Sequence, residues 1–536
     1  MKKSEKQLLV GAAVLLAGGC AVYILRKCQH NATPKICDGH DNLVSKKPVP
    51  KELETSVGDD VVFFGDHPED ETKQIGKPAE LDGHIGVFGE SSRGKTSGIV
   101  IPNMATFSGP QFILDTKGNL AEEWHRQHQD GSKILKEFRI SALGENPYWF
   151  DPFEPMRVDS DNKCGHAWDL AEAIIPEIRG DTNPVWRHCA QNLLAGAMLY
   201  YFDQGQSFVD ALSHFSSICI PKLVKEIAED TDSVAAVYVR ELNGIEPKVL
   251  LNVGMDLKKV VQMLTTPAIR EAISDGDGRQ CLSLYEFSTR DVKYDIVFEA
   301  PDALLGQLRP LVVLVVTQLM RFLSMRPEKF SIEKAPPQML LLLDEFPRLG
   351  KIPSITEGLN TLRSRGVTFL LCVQSIASLE EIYGSAAARV VLENLSYKLI
   401  LGATDVQSEE YFSKLVGDIL IEVSSSASGV NFPAPAVTLS VTTAKMRRPC
   451  IYPHAFQTLQ DVIVVSPFGT CLAKKRRPKP VSAIHATDNV QHELKGGHSH
   501  DIGRAVKEKS AVARGEREGE AGKGAEAVES PAEADQ

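Results

Sequence analysis

The sequence predicts an α/β fold interrupted by a mostly helical insertion. Three observations carry that expectation. An apolar run, His84 to Phe88, ends in a glycine-rich octet, GESSRGKT at 89–96, and continues into helix-compatible TSGIVI. A second apolar run, MLLLLDE at 339–345, ends in two carboxylates. From about Asp181 to Thr289, apolar residues such as Val185, Ala190, Leu193, Leu194, Ala197 and Met198 recur at helical spacing.

The octet fits G-x-x-x-x-G-K-[ST], and the chemistry explains the spacing. Gly89 and Gly94 let the backbone curl so that successive N–H groups face phosphate oxygens. Glu90, Ser91, Ser92 and Arg93 fill the curl. Lys95 opens the helix and reaches the β- and γ-phosphates, and the Thr96 hydroxyl ligates Mg²⁺. The helix N-terminus adds a fixed positive dipole. A strand before the octet and a helix after it supply the required context, so residues 89–96 are read as an ATP site.

Composition bounds the partners. The 536 residues leave room for two or three domains, and 43% of them are hydrophobic, enough for a sizeable core. With 59 basic against 70 acidic residues the net charge is −11, which excludes a protein that coats DNA by bulk charge. Nucleic-acid contacts must then be local. Ten cysteines are scattered without a C-x-x-C pair or a zinc-spaced cluster, as in a reduced cytosolic body.

Taken in order, the chain opens on an uncharged apolar run at 8–25. At ~1.5 Å per residue it spans ~27 Å, just short of a bilayer core. LAGGC at 16–20 loosely resembles a lipoprotein processing site, but the run continues through Leu25, so residues 1–30 read as a retained membrane anchor. A nucleotide site must face the cytosol, which puts the body there and residues 1–7 outside. Arg26, Lys27, Lys35, Lys46 and Lys47 agree with that orientation. Residues 31–58, with prolines at 34, 48 and 50, read as a linker.

Val61 to Phe64 reads as an edge strand, 84–88 as the strand feeding the octet, and Phe112 to Leu114 as a strand ending in Asp115-Thr116-Lys117-Gly118. Two readings of that end stand side by side: a ligand-facing pair where open α/β sheets bind ligands, or an ion pair that stabilises a turn. DALSHFSSICIPKLVKEIAE at 210–229 and the run 249–273 read as helices, Tyr294 to Phe298 as a strand, and Pro301 to Met325 as a buried helix. In MLLLLDE, Asp344 is placed to complete the Mg²⁺ shell opposite Thr96, and Glu345 to orient or deprotonate the attacking water. The strand Phe369 to Val373 ends in Gln374, whose amide can sense the γ-phosphate or the water. Arg348, Arg363 and Arg365 are either solvated or reach a neighbouring subunit's site. Lys398 to Gly402 and Val462 to Ser466 read as late strands, with a surface hairpin at 424–443 between them. The basic clusters Lys445 to Arg448 and Lys474 to Arg477 read as solvated surface by default, with phosphate contact as the alternative. From about 486 onward the composition cannot bury enough surface to order the chain, so 486–536 reads as a disordered tail.

HIGVFGESSRGKT, IVIPN…LDTKG at 99–118, LLLLDEFPRLGKIPSITEGLNTLRSRGV at 340–367 and QS at 374–375 together resemble the type IV secretion coupling proteins, the TraG/TraD-type ATPases of bacterial conjugation. NPVWRHCAQNLLAGAMLYY at 183–201 resembles the start of that family's all-α domain, and RRP at 447–449 with DVIVVSPFGTCLAKKRRPK its closing strands. The resemblance covers roughly residues 60–480, and DEFP with its sequel is far more specific than the octet. It implies a RecA-like P-loop NTPase domain in two parts, 59–180 and 291–485, with an all-α domain inserted at 181–290. It also implies an inner-membrane protein, a homo-hexameric ring, and partners comprising a relaxase–DNA complex or effector protein and the secretion channel. Carried over by position, Gly89 to Thr96 bind ATP and Mg²⁺, Asp344 and Glu345 serve hydrolysis, and Gln374 is the sensor. The alternative is a nucleotide-stabilised adaptor for protein cargo that pumps no DNA. This chain shows one membrane run where the family usually has two, and it carries Glu90 and Arg93 where small or polar residues are commoner.

Overall fold

The computed structural model describes residues 43–476, except 141–145, 177–183, 231, 277, 330–336 and 432–435, and describes the backbone alone at Lys46 and at the other residues of 422–442. The anchor expected at 1–30 and the tail expected at 486–536 lie outside the described residues.

Among the described residues, nine strands form the main sheet. In chain order they are β1 (Ile85–Phe88), β2 (Gln111–Asp115), β3 (Ile134–Arg139), β4 (Tyr294–Glu299), β5 (Met339–Leu343), β6 (Val367–Val373), β7 (Tyr397–Ile400), β8 (Val462–Ser466) and β9 (Gly469–Ala473). Across the sheet they run β9-β8-β7-β1-β6-β5-β2-β4-β3. All neighbours from β7 to β3 pair in parallel, while β7–β8 and β8–β9 are antiparallel. The α/β expectation therefore holds, with a mixed sheet at its centre. The central strands read as continuous apolar runs because both faces are covered. Met339, Leu341 and Leu343 enter one core, with Phe112, Leu114, Phe369 and Leu371. Leu340 and Leu342 enter the other, with Ile113, Leu370, Ile99 and Met104.

The stretch between β3 and β4 is helical, as its spacing predicts, with its longest helices at Pro184–Asp203 and Pro247–Met263. The runs expected at 210–229 and 249–273 each break in two, where Pro221 and Pro267 start new helices. Ala190, Leu193 and Leu194 lie in the same core as Phe112 and Leu341, so these helices share a core with one sheet face. A short parallel pair, Tyr148–Trp149 with Gln280–Cys281, closes the base of the stretch. Helix Leu305–Ser324 is the only described helix long and apolar enough to cross a membrane, and 72% of its most apolar window is buried. It is a core helix, as the short apolar run at 311–316 implied.

Packing begins ahead of the boundary set at 59: Val44 and Leu53, within the stretch read as a linker, are fully buried. Val61–Asp66 is an edge strand, but of a separate antiparallel sheet with Glu54–Ser56 and Lys73–Pro78. Asn103 ties this sheet to the helix after the octet by bonding Phe63 N–H at 2.7 Å and Phe63 C=O at 2.9 Å. The hairpin expected at 424–443 is present and longer, pairing Asp418–Asn431 with Ala436–Pro449.

His84, just before β1, is buried between two backbone groups. Its Nδ1 accepts from Phe369 N–H at 3.1 Å and its Nε2 lies 2.9 Å from the Leu359 carbonyl, which makes Nε2 the protonated nitrogen. Burial pushes its pKa down from 6.5 to about 4. A depressed histidine contributes stability that is complete above its ordinary pKa and is lost as pH falls through the folded one, here about 3 kcal/mol in all. Chemical denaturation followed from neutral pH down to about 4.5 should show that loss, and His84→Gln should flatten it. An unchanged slope in the variant would rule out this histidine as the cause.

Candidate nucleotide site

The carboxyl ends of β1, β5, β6 and β2 meet at the switch in strand order, where open parallel sheets place their ligands. β1 delivers the loop 89–96. Gly94 stands at φ 86 and Ser92 at φ 66, the left-handed region that closes the curl. A Cβ on Gly89 would meet Leu401 Cβ at 3.2 Å, a tight contact that favours the small residue. The following helix opens as a wide turn in which Ile101 N–H bonds the Thr96 carbonyl. Such wide turns recur at functional sites.

β5 delivers Asp344 and Glu345. The Thr96 hydroxyl donates to Asp344 Oδ2 at 2.9 Å. Asp344 Oδ1 is buried with no hydrogen-bond partner among the described residues. Glu345 is held at φ 55, ψ 43. A left-handed backbone on a side-chain-bearing residue costs about 1 kcal/mol and is found where surrounding structure imposes it. β6 delivers Gln374, whose Nε2 donates to Glu345 Oε2 at 2.8 Å. The next residue, Ser375, caps helix Ile376–Asn394, so strand end and helix start fix Gln374 from both sides.

Two ammonium groups answer the two carboxylates. Lys95 Nζ donates to the carbonyls of Gly89 at 2.6 Å and Glu90 at 3.2 Å, and lies 3.9 Å from Glu345 Oε1. Lys117 Nζ lies 3.3 Å from Thr96 Oγ1, 3.4 Å from Asp344 Oδ2 and 3.3 Å from Glu345 Oε1. Burial alone would push the Glu345 carboxyl up. Lys95, the Gln374 amide and Lys117 outweigh it and hold that carboxyl below its usual range. Burial works against the Lys117 ammonium, but Asp344 and Glu345 raise its pKa above the ordinary value. Cys372, buried on β6, has its thiol pushed well above the usual range by burial, which removes it as a nucleophile.

Lys95, Thr96, Asp344, Glu345 and Gln374 thus converge. Side chains of the octet's interior do not: Ser91 and Ser92 are exposed, Glu90 accepts from the Thr404 hydroxyl, and Arg93 Nη2 donates to the Gln457 carbonyl at 2.6 Å. Glu90 and Arg93 pin the loop to its neighbours. The three arginines also stay apart. Arg348 pairs with Asp302, Arg363 is exposed, and Arg365 donates to the Arg326 carbonyl. Of the basic clusters, Lys445 and Arg447 are exposed as expected, while Arg448 departs from that reading, buried over the Tyr452 ring at 5.5 Å. Lys475 and Arg476 correct the default reading. Lys475 donates to the Arg93 carbonyl, and Arg476 pairs with Asp66 and covers the Phe63 ring at 4.1 Å.

The residue left undecided between two roles is Lys117. The ion pair offered as one reading of its turn is not formed: Lys117 Nζ pairs with Asp344 and Glu345, and Asp115 holds the turn through backbone N–H groups instead. Asp115 accepts from Lys117 N–H at 2.9 Å, Gly118 N–H at 2.9 Å and Leu120 N–H at 2.7 Å. Lys117 faces the site. The donor set fits a magnesium–phosphate group. A hydroxyl, a carboxylate with one unpaired buried oxygen, and a glycine-rich helix start are what Mg²⁺ bound mainly through phosphates needs. Among the described residues no group of three or more His, Cys, Asp or Glu is placed to hold a metal ion.

A family described as type IV secretory system, conjugative DNA transfer, matches residues 46–466. The chain is 22% identical over 403 residues to an Escherichia coli conjugal transfer protein TraG, covering 69% of this chain and 61% of the relative. It is 24% identical over 355 residues to VirD4 of Agrobacterium fabrum, covering 64% of this chain and 51% of the relative. The chain therefore spans only half to three-fifths of these relatives' lengths. Among solved structures, it is similar to the bacterial conjugative coupling protein TrwB lacking its first 70 residues, at a TM-score of 0.58 and 17% identity, covering 76% of this chain and 87% of that one. TrwB in complex with ADP and Mg²⁺ gives a TM-score of 0.56 at 16% identity, covering 74% and 85%. At that identity the likeness establishes the fold.

The Asp115 turn is testable by stability. Asp115→Ala should destabilise by about 2 kcal/mol, because the buried Leu120 N–H and two partly buried N–H groups lose their acceptor. Asp115→Asn should cost clearly less in the same denaturant titration. Equal losses would mean that the carboxylate's hydrogen bonds are not what holds the turn.

Proposed function

We propose, on the premise that this chain belongs to the type IV secretory system conjugative DNA transfer family, that it is a coupling ATPase. It receives a relaxase–DNA complex or an effector protein and drives the cargo to the secretion channel by ATP hydrolysis. The observation that carries this reading is the 2.9 Å bond between Thr96 and Asp344, with Glu345 and Gln374 beside it. The TrwB complexes with a non-hydrolysable ATP analogue and with ADP and Mg²⁺ support the choice of ligand.

In this reading Gly89 to Thr96 hold the triphosphate, and Thr96 and Asp344 hold Mg²⁺. When bound there, Mg²⁺ supplies charge neutralisation at the β- and γ-phosphate oxygens. Lys95 leaves the Gly89 and Glu90 carbonyls for phosphate oxygen, and so withdraws from Glu345. A carboxyl that loses a cation and gains an anionic neighbour becomes a better proton acceptor. Glu345 is thus quiet in the nucleotide-free protein and becomes competent as nucleotide binds. Gln374 keeps hold of Oε2, leaving Oε1 to orient the attacking water.

The helical stretch at 181–290 serves as the substrate-facing all-α domain, set between the two parts of a RecA-like domain. Residues 1–30 anchor the chain in the inner membrane with its bulk in the cytoplasm, and six copies form the ring. The parallel pair at 148–149 and 280–281 supports the first point in a broader form, since it draws together the two ends of the helical stretch between β3 and β4, which begins ahead of 181.

Lys95→Ala and Glu345→Gln should each lower ATP turnover by about 100-fold or more. Glu345→Gln should still bind Mg²⁺–ATP, because the phosphate loop is intact. Turnover at the wild-type rate in either variant would overturn the assignment. Single- or double-stranded DNA should stimulate wild-type turnover, with the effect falling as salt rises. No stimulation at any salt concentration would instead favour a nucleotide-stabilised adaptor for protein cargo.

A further inference from the structure

We propose that Lys117 is a tethered cation that holds the metal position of the nucleotide site until metal and nucleotide arrive together. The proposal rests on the nucleotide-site reading above. Its ammonium stands within 3.3–3.4 Å of Thr96 Oγ1, Asp344 Oδ2 and Glu345 Oε1, and the first two are the groups assigned to Mg²⁺. A divalent ion and this ammonium compete for the same oxygens.

Three further features fit a displaceable placeholder rather than a fixed ion pair. The distances exceed the roughly 2.7–2.9 Å of a tight charge-assisted bond, so the ammonium is held loosely. The Lys117 side chain is 40% exposed while those of Asp344 and Glu345 are 1% and 4% exposed, so the cation has a way out and the carboxylates do not. Its backbone is nevertheless rigid. Asp115 clamps the turn, and Gly118 sits at φ 74, so the side chain alone has to move.

Lys95 does not take this role. It is committed to the loop carbonyls and touches only Glu345, at 3.9 Å. Without Lys117, Asp344 would keep a hydroxyl partner but no nearby countercharge, an expensive state for a buried carboxylate. Free divalent cation must therefore displace Lys117 with nothing to receive the ammonium. Bound triphosphate offers both extra metal ligands and an anionic partner for the released lysine. The device makes metal binding depend on nucleotide.

The test uses the full chain, free of nucleotide, with Mn²⁺ alone as the probe. Free Mn²⁺ is followed by its electron paramagnetic resonance signal, and melting temperature is read in parallel. Lys117→Met should bind Mn²⁺ about tenfold more tightly than wild type. Without metal it should melt about 3 °C lower than wild type, and Mn²⁺ should restore the difference. Lys117→Gln, which keeps a donor and drops the charge, should show the same gain in Mn²⁺ binding. Adding Asp344→Asn to either variant should remove it. If neither Lys117 variant takes up Mn²⁺ better than wild type, the proposal is overturned, whatever happens to stability. Stabilisation of the wild type by Mg²⁺–ADP separates the two levels. Its absence overturns the nucleotide site itself. Its presence beside unresponsive Lys117 variants overturns only the role of Lys117.

Discussion

One hydrogen bond, from the Thr96 hydroxyl to the Asp344 carboxylate, joins residues 248 positions apart. Everything chemical in this molecule depends on it. It forms because β6 alone separates β1 from β5, and because all three strands point the same way. Parallel strands require crossovers, and the crossovers are where this chain spends its length. The long helical stretch is one of them, returning the chain from β3 to β4 beside it. The sheet holds register because both its faces are apolar, so a one-residue slip would move each side chain into the opposite core.

Around that bond the site is a balance of buried charge. Asp344 and Glu345 are nearly inaccessible, and two lysines answer them from different directions. In the proposed mechanism neither lysine is in its working position: Lys95 is folded onto its own loop, and Lys117 stands among the oxygens proposed to hold the metal. The resting arrangement pairs the charges while leaving one Asp344 oxygen without a hydrogen-bond partner among the described residues. The left-handed backbone at Glu345 belongs to the same design. It turns two consecutive carboxylates toward one place, which an extended strand with alternating side chains does not do.

Much of this was legible in the residues. GESSRGKT and MLLLLDE carry strong local signals, one from backbone freedom at two glycines and the other from burial on both faces. Helical spacing exposed the helical stretch between β3 and β4, and the short apolar run in Leu305–Ser324 marked that helix as core. What escaped was set by tertiary contacts. β3, with the sequence ILKEFR, lies at the sheet edge and mixes charge with apolar residues, so no strand pattern stands out. The pair at 148–149 and 280–281 is too short to have a period at all. Lys117 stays open between a ligand-facing role and a turn ion pair until β2 and β5 are seen side by side. Lys475 and Arg476 look like a solvated cluster because their partners, Arg93 and Asp66, lie hundreds of residues away. Strand β9 brings them back, which is why closing the sheet also braces the phosphate loop.

The central claim is that the turn at 89–96 and the carboxylates at 344–345 serve one metal–triphosphate group. Anomalous diffraction from crystals grown with Mn²⁺ and a non-hydrolysable ATP analogue tests it most directly. The account predicts a manganese peak bridging the Thr96 hydroxyl and the β- and γ-phosphates, with Asp344 in its shell and Lys117 displaced. A nucleotide bound elsewhere, or a metal peak that Thr96 and Asp344 do not share, would contradict it.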